Sequence, residues 1–306
     1  MLSICIPVYN YDVGSLARKL NFHALGAGYP FEIILMDDAS DERFREMNQA
    51  IDLKALRYIQ LNENIGRAKI RNRLAEVANF SNLLFMDCDS AVSSPAYIKN
   101  YAPFFDFQTV CCGGRIYEDE KPDDLTYLRW KYGAKRECAS ASERSKNPNA
   151  GFQTNNFLIH KNIFEKVKFN EDLTGYGHED TLFGLELLKQ EITIQHIDNP
   201  LIHLGLENAS DFLEKTENGI KNLYRVEVLL REKYPEYVNH SNLMRAKLFL
   251  QKHHLSGFVS KLFGMMRRQM KNNLLSKNPS LMIFDFYRLG LLCGERVVFS
   301  NFAKRK

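Results

Sequence analysis

The stretch Phe80–Ser90, FSNLLFMDCDS, carries four apolar residues in a row, Leu83 to Met86, followed at once by two aspartates one residue apart. Such a run between polar flanks reads as a buried strand with Asp87 and Asp89 at its carboxyl end. While the chain stays extended, residues i and i+2 point to the same side, so the two carboxylates are expected roughly 6 to 7 Å apart at their Cα atoms and aimed alike. Two carboxylates held that way suit a divalent cation, and in open α/β sheets ligands bind beyond the carboxyl ends of the strands. The plainer alternative is a turn in which an aspartate bonds its own backbone.

Toward the N-terminus the same pattern recurs. Leu2–Val8 (LSICIPV) is a β-rich apolar run ended by Tyr9-Asn10, and Ser15–Leu25 has helical spacing. Phe31–Met36 (FEIILM) is a second strand with Asp37 and Asp38 at its carboxyl end, and Ser40 is expected to cap a helix bearing Asp41 and Glu42. Arg57–Leu61 forms a third strand, and Asn62–Asn72 (NENIGRAKIRN) turns through Gly66 into a helix bearing Arg67, Lys69 and Arg71. Strands alternating with helices predict an α/β fold with a doubly wound, mostly parallel sheet flanked by helices. No GxGxxG follows the first strand, so the dinucleotide fingerprint is absent.

Toward the C-terminus the pattern loosens. Thr109–Tyr117 is expected as one strand, Asp123–Gly133 as a capped helix, and the aperiodic Ala134–Gly151 as a mobile, lid-like loop. Order resumes over Phe152–His160 and a short helix at Asn162–Val167. Asp172–Lys189 (DLTGYGHEDTLFGLELLK) is a glycine-broken turn feeding an amphipathic helix. Ile192–Ile197 reads as the last strand, with His203 just beyond it. From Ser210 the pattern is helical, with breaks near Pro235, Gly257 and Pro279. A domain over 1–209 and a helical extension over 210–306 are therefore expected.

Composition narrows the class. An apolar fraction of 45% with 25% charged residues is that of a globular protein, and no apolar run approaches the ~18 to 20 residues that span a bilayer. Residues 1–9 begin without a basic segment, which argues against a signal peptide and for a protein that stays in the cytoplasm. The six cysteines form no CxxC pair and sit mostly in apolar stretches, as reduced thiols do, so zinc and structural disulfides are not expected. The net charge of +4 hides an asymmetry: from Leu243 onward there are 13 Lys or Arg against 2 acidic residues.

Five short motifs now carry a resemblance. IPVYN at 6–10, MDDAS at 36–40, NIGRAKIRN at 64–72, MDCDS at 86–90 and GYGHED at 175–180 occur in the order and spacing of the family 2 glycosyltransferases, which have the GT-A fold. The chain resembles that family over about residues 1–206. The resemblance implies that Pro7, Tyr9 and Asp38 hold the uracil and ribose of a UDP-sugar, with Asn10, Asn64, Gly66 and Arg71 nearby. It implies that Asp87 and Asp89 are a DxD pair, Asp89 ligating Mn or Mg and Asp87 facing both ribose and metal. Asp180, beside Glu179, matches the family's general base, and His203 resembles a histidine that binds the same ion in some GT-A enzymes. The activity implied is that of an inverting glycosyltransferase of the hexosyltransferase type, acting on a saccharide or lipid-linked acceptor in bacterial surface polysaccharide assembly.

The chemistry accounts for these residue types independently. Displacing a nucleoside diphosphate builds negative charge on the leaving phosphate, which a divalent ion offsets as a Lewis acid. The attacking hydroxyl must lose a proton, and a carboxylate at a helix start can accept it. Glu179 and Asp180 diverge by about 100° on a helix, so only one faces a cleft; as a pair they could equally complement the helix dipole. Gly175 and Gly177 before them let backbone approach a ligand. Trp130, with Tyr127 and Tyr132, offers aromatic faces to a sugar or ordinary packing. Asn155 and Asn156 could bond sugar hydroxyls or satisfy a turn, and His203 could be a core histidine.

A reading from another class is a non-catalytic nucleotide-sensing module, anchored to membrane or nucleic acid by its basic helical tail. Phe258, Leu262, Met265, Met266 and Met270 recur at helical spacing beside Lys261, Arg267, Arg268 and Lys271. That pattern favours peripheral contact with an anionic membrane, on the inner face of the cell membrane, over nucleic acid. A helix packed on the catalytic domain is the alternative.

Overall fold

The computed structural model describes residues 1–105, 107–172, 177–233 and 242–294. Gly175 of the glycine pair and the expected break at Pro235 lie outside the described residues. The chain divides into two compact units. One comprises Met1–Lys121, Tyr132–Thr174 and His178–Leu206, the other Pro122–Lys131, Gly175–Gly177 and Glu207–Lys306.

The first unit opens as β1 (Leu2–Val8), α1 (Gly14–Ala27), β2 (Phe31–Asp37), α2 (Glu42–Gln49), β3 (Leu56–Gln60), α3 (Arg67–Val77) and β4 (Asn82–Met86). These four strands lie parallel in the order β3-β2-β1-β4. Because successive strand residues face opposite sides, these largely apolar strands feed two cores. Cys5, Ile34, Met36, Leu83 and Phe85 pack with Ile70 and Leu74 of α3. Ile4, Ile6, Ile33, Leu35 and Leu84 pack on the other side with Leu16 and Leu20 of α1. The cap expected of Ser40 is not formed: the Ser40 hydroxyl accepts from the Asn10 backbone N–H instead, at 2.9 Å, and Asp41 is the N-cap residue.

Beyond β4 the expectations need correction. β5 (Ser90–Val92) follows, and the single strand expected over 109–117 is two, β6 (Val110–Cys112) and β7 (Arg115–Ile116), which belong to different sheets. The break is at Gly113 and Gly114. A Cβ on Gly113 would lie 2.3 Å from the Tyr101 hydroxyl, and Gly114 has φ +85 with the Arg144 guanidinium where a Cβ would point. After α4 (Tyr127–Tyr132) the chain makes a π turn at Gly133–Glu137 and α5 (Ala141–Arg144). The segment expected to be a mobile lid is therefore ordered. Ser140 and Glu143 form a capping box, and buried Arg144 donates to the carbonyls of Cys112, Gly113, Ala139 and Ile197.

β8 (Asn156–His160) runs antiparallel to both β4 and β6, so the sheet is mixed where parallel strands dominate the first half. After α6 (Lys161–Val167) and α7 (Glu179–Lys189), β9 (Ile194–His196) completes the order β3-β2-β1-β4-β8-β6-β9. Phe183 of α7 stacks on Phe169 at 4.2 Å inside the core that Phe85 and Phe157 share. His203 is not beyond the last strand but within it, in β10 (Leu201–His203), which joins β5 and β7 in a small second sheet.

In the second unit α8 (Ala209–Lys233), α9 (Asn242–Lys252), α10 (Ser256–Leu274) and α11 (Leu281–Gly294) pack together. Phe212 stacks on Phe284 at 5.4 Å, Phe263 meets Tyr287 edge-on at 5.3 Å, and a Cβ on Gly290 would strike the Phe263 ring. The break expected near Gly257 falls at His253–Leu255, and Gly257 is helical. Among the described residues no helix is long and apolar enough to cross a membrane.

Candidate active site

The carboxyl ends of β1, β2 and β4 supply the site, together with the loop that opens α3 and the start of α7. After Met86 the chain does not stay extended: Cys88 and Asp89 form a turn before β5. The expectation of two carboxylates aimed alike from one extended strand is thus corrected, and each aspartate has its own partners. Register between β5 and β10 sets Ser90 opposite His203, which brings His203 Nδ1 to 3.5 Å from Asp89 Oδ1. The Leu204 N–H donates to the Asp89 carbonyl at 2.8 Å, and a Cβ on Gly205 would lie 2.1 Å from Asp89 Oδ2. Burial pushes the Asp89 carboxyl up, but the His203 imidazole and the Arg115 and Arg67 charges outweigh it and hold Asp89 at about 2.

Among the described residues, Asp89 Oδ1 is buried and has no partner in good hydrogen-bond geometry, His203 at 3.5 Å being the nearest cationic group the structure sets beside it. That oxygen, with His203 beside it, fits a divalent ion. Among the described residues no group of three or more His, Cys, Asp or Glu could hold an ion alone, so substrate oxygens would have to complete the shell.

Asp87 is held between two arginines. Its Oδ1 accepts from Arg71 Nη2 at 2.8 Å, and its Oδ2 lies 3.7 Å from Arg115 Nη2. Arg71 is 2% exposed, donates to the Arg67 carbonyl and lies over the Phe169 ring. Arg115 in turn bonds Glu137 at 3.0 Å, and the Tyr117 hydroxyl donates to the same Glu137 oxygen. The Tyr117 ring meets His203 edge-on at 5.3 Å. A continuous set of contacts therefore runs from Arg71 through Asp87, Arg115, Glu137 and Tyr117 to His203 and Asp89.

The nucleotide-side residues cluster at the ends of β1 and β2. Pro7 pairs in register with Met36, and Tyr9 beyond it is exposed. Asn10 and Ala39 both adopt left-handed backbone, φ +50 and +61; the alanine stores strain of the kind found at binding loops. Asp38 is nearly buried and clasps the α3 loop, accepting from the Ile65 and Gly66 N–H groups at 2.7 and 3.1 Å. Burial, with Asp37 alongside, raises its pKa despite those bonds. Asn64 is exposed one residue before this clasp, and Gly66 takes φ +82.

α7 begins after two left-handed residues, Gly177 and His178. Glu179 is buried and 3.5 Å from Arg67. Asp180 is half-buried, and among the described residues its carboxylate accepts only from Thr181, the N–H at 2.7 Å. Burial, then the neighbouring Glu179 charge, pushes Asp180 up to about 6 against the pull of Arg115 and Arg71. Two carboxylates of one site thus differ by several pH units, the separation expected of groups with different roles.

Of the acceptor candidates, Asn155 is 2% exposed, its buried Oδ1 has no hydrogen-bond partner among the described residues, and its carbonyl accepts from the Asp87 N–H. Asn156 is corrected to a structural role. It is wholly buried, accepts from the Tyr97 and Tyr101 hydroxyls and donates to the carbonyls of Gly114 and Asn199. Trp130 stacks on Tyr127 at 5.7 Å in the second unit. Sequence reasoning missed Arg115, Tyr117, Glu137 and Gly205; the Gly113-Gly114 doublet inside an apolar run was the only local signal for the first two.

The chain is 24% identical over 252 residues to the chondroitin synthase of Escherichia coli, covering 69% of this chain and 36% of that one. It is 28% identical over 165 residues to the teichoic acid poly(glycerol phosphate) polymerase of Staphylococcus epidermidis, covering 52% and 22%. The chain thus spans about a third or less of the length of these curated relatives. Among solved structures, the mannosyltransferase PcManGT of Pyrobaculum calidifontis, in complex with GDP-Man and Mn2+, matches at TM-score 0.53 and 12% identity over 96% of this chain and 85% of that one. That likeness shows the GT-A fold, a helix-flanked mixed sheet. A sequence model of Glycosyl transferase family 2 matches residues 3–172, more than half of the chain, and this protein therefore belongs to that family.

Proposed function

We propose that the protein transfers a sugar from a UDP-sugar, with inversion, to a hydroxyl of a saccharide or lipid-linked saccharide, in the building of a surface polysaccharide. The observation that carries this reading is the placement of two site carboxylates: Asp89, beside His203 at 3.5 Å after β4, and Asp180 at the start of α7, with Asp89 lowered by its cationic neighbours and Asp180 raised by burial and Glu179. The first suits an electrostatic ligand and the second a proton acceptor near neutral pH. Relatives named as a chondroitin synthase and a teichoic acid polymerase support the polymer setting.

In this reading the ends of β1 and β2 bind the nucleoside, with Pro7, Tyr9, Asn10 and Asp38 at the base and ribose and the Asn64–Gly66 loop closing over it. Asp89 and His203 would hold Mn or Mg, which when bound offsets the charge of the departing diphosphate. Arg71 and Arg115 fix Asp87 and add positive field beside the same charge. Asp180 takes the acceptor proton as the hydroxyl attacks, and Glu179, engaged by Arg67, keeps the helix start in place. A single displacement with one base gives inversion.

The test is turnover. Purified protein is incubated with a panel of UDP-sugars, and GDP-mannose as comparison, and nucleotide release is measured with Mn, with Mg and in EDTA. Release with one UDP-sugar that EDTA abolishes, metal restores and Asp89→Ala removes with the fold intact is the expected result. Nucleotide binding without release from any donor, across a range of saccharide acceptors, would replace the enzyme with a sensing module. Full activity in chelator would remove the ion from the mechanism.

A further inference from the structure

The second unit carries a basic, partly apolar face whose residues are not among those of the site described above. Residues 242–280 contain eight Lys or Arg and no Asp or Glu. Four of the eight are matched by acids from elsewhere in the unit. Lys247 pairs with buried Glu227 at 2.6 Å, Arg267 and Lys271 with Glu217 at 3.1 and 2.9 Å, and Lys277 with Asp124 at 3.5 Å. Among the described residues Arg245, Lys252, Lys261 and Arg268 have no acidic partner, and all four are exposed. Two of the four cations expected to face a membrane, Arg267 and Lys271, are thereby neutralised by Glu217.

The apolar residues of α10 divide in the same way. Val259, Phe263, Met270 and Leu274 form the buried seam, so Met270 is removed from the expected exposed set. Leu255 at the N-cap, Phe258, Leu262, Met265 and Met266 fall within about 100° of one another on the helix, beside that seam. Phe258 is 66% and Met265 70% exposed, an unusual outlay of large apolar surface. Lys261 and Arg268 lie one turn-width outward of Met265, along the edge of the stripe. An apolar stripe rimmed by unmatched cations, on a unit with no membrane-crossing helix among the described residues, has the form of a helix that lies in the headgroup layer.

We propose that this face of α10 docks on an anionic lipid bilayer, with Phe258, Leu262 and Met265 entering the boundary of the acyl chains and Lys261 and Arg268 meeting lipid phosphates. Charge selects this occupant. A second copy docking the same face would bring Lys261 and Arg268 against their own counterparts, with no acid in 242–280 to answer them. A nucleic acid would satisfy the cations but leave the methionine and leucine side chains without a role. The proposal is independent of which sugar is moved.

The test uses the full chain and vesicles of phosphatidylcholine alone or mixed with phosphatidylglycerol. The protein is expected to float with the anionic vesicles only, less so as salt rises. K261Q/R268Q should bind roughly 30-fold more weakly, and F258S/M265S about tenfold more weakly or worse, with melting temperature unchanged in both. Retention by neutral vesicles equally, or no flotation with either, overturns the proposal. So does anionic binding that both double variants keep. A dimer in sedimentation that F258S/M265S dissolves would assign the face to a second copy, and tight binding of a single-stranded RNA oligonucleotide with no vesicle binding would assign it to nucleic acid.

Discussion

Replacing Asp180 by Asn should make the protein more stable and nearly inactive. The carboxyl is raised from 3.8, its ordinary value, to about 6, because burial and Glu179 disfavour its charge. Between those values the folded chain binds a proton that the unfolded chain has lost, so wild-type stability falls as pH rises through the window and levels off above about 6. Two pH units correspond to about 3 kcal/mol, and partial exposure of the side chain reduces this to about 1 to 2. Asn keeps the acceptor for the Thr181 N–H and has no charge to bury. The stability difference between variant and wild type should therefore be close to zero near pH 4 and full at neutral pH.

The activity prediction runs the other way. Wild-type turnover should rise as Asp180 deprotonates, with a midpoint near 6. Asp180→Asn should lose about 10² to 10⁴ in turnover, or roughly 3 to 5 kcal/mol, while calorimetry with UDP and Mn shows unchanged affinity. Urea unfolding at several pH values and a transfer assay on the same preparations give both readouts. A variant that is destabilised at neutral pH, or that still turns over, would refute the assignment. Loss of activity in Glu179→Gln alone would move the base by one residue.

Two further outcomes test the parts that hold the site. In Gly205→Ala the new methyl would lie 2.1 Å from Asp89 Oδ2, so the carboxylate must move; a displacement of about 1 Å should lower turnover on the order of 10²-fold and weaken Mn binding by calorimetry, whereas unchanged Mn affinity would show that Asp89 does not ligate. Glu137→Gln removes the negative charge 3.0 Å from Arg115 and leaves at most one amide acceptor, which should destabilise the fold by about 1 to 3 kcal/mol in urea and lower turnover at unchanged donor KM; equal kinetics would make the Glu137 contacts structural only.

The first half of the fold was legible because its signals are local. β1, β2 and β4 are mainly apolar runs buried on both faces, and a run of that kind declares itself without its neighbours. The aspartates after β2 and β4 and the acids that open α7 were found because strand ends and helix starts are themselves readable. The geometry of the DxD pair was not, since it rests on a turn at Cys88–Asp89 and on β10, whose register with β5 joins residues more than a hundred positions apart. No local pattern announces a three-residue strand.

The same reasoning explains why the arginines were judged unevenly. Arg71 sits in a helix motif, but around Arg115 only the Gly113-Gly114 doublet distinguishes it from a surface arginine; it becomes a site residue because those glycines turn the chain into a second sheet, where Asp87 and Glu137 lie on either side. Arg144 made the opposite error: in a polar, aperiodic segment it read as part of a mobile loop, yet its guanidinium donates to carbonyls from three separate stretches of chain and to His196. A planar cation with five donors can fix an irregular segment that has no hydrophobic periodicity of its own. Order of that kind lives in pairings between distant residues, and α10 repeats the lesson, since Glu217, fifty residues upstream of Arg267, decides which of its cations are matched by an acid.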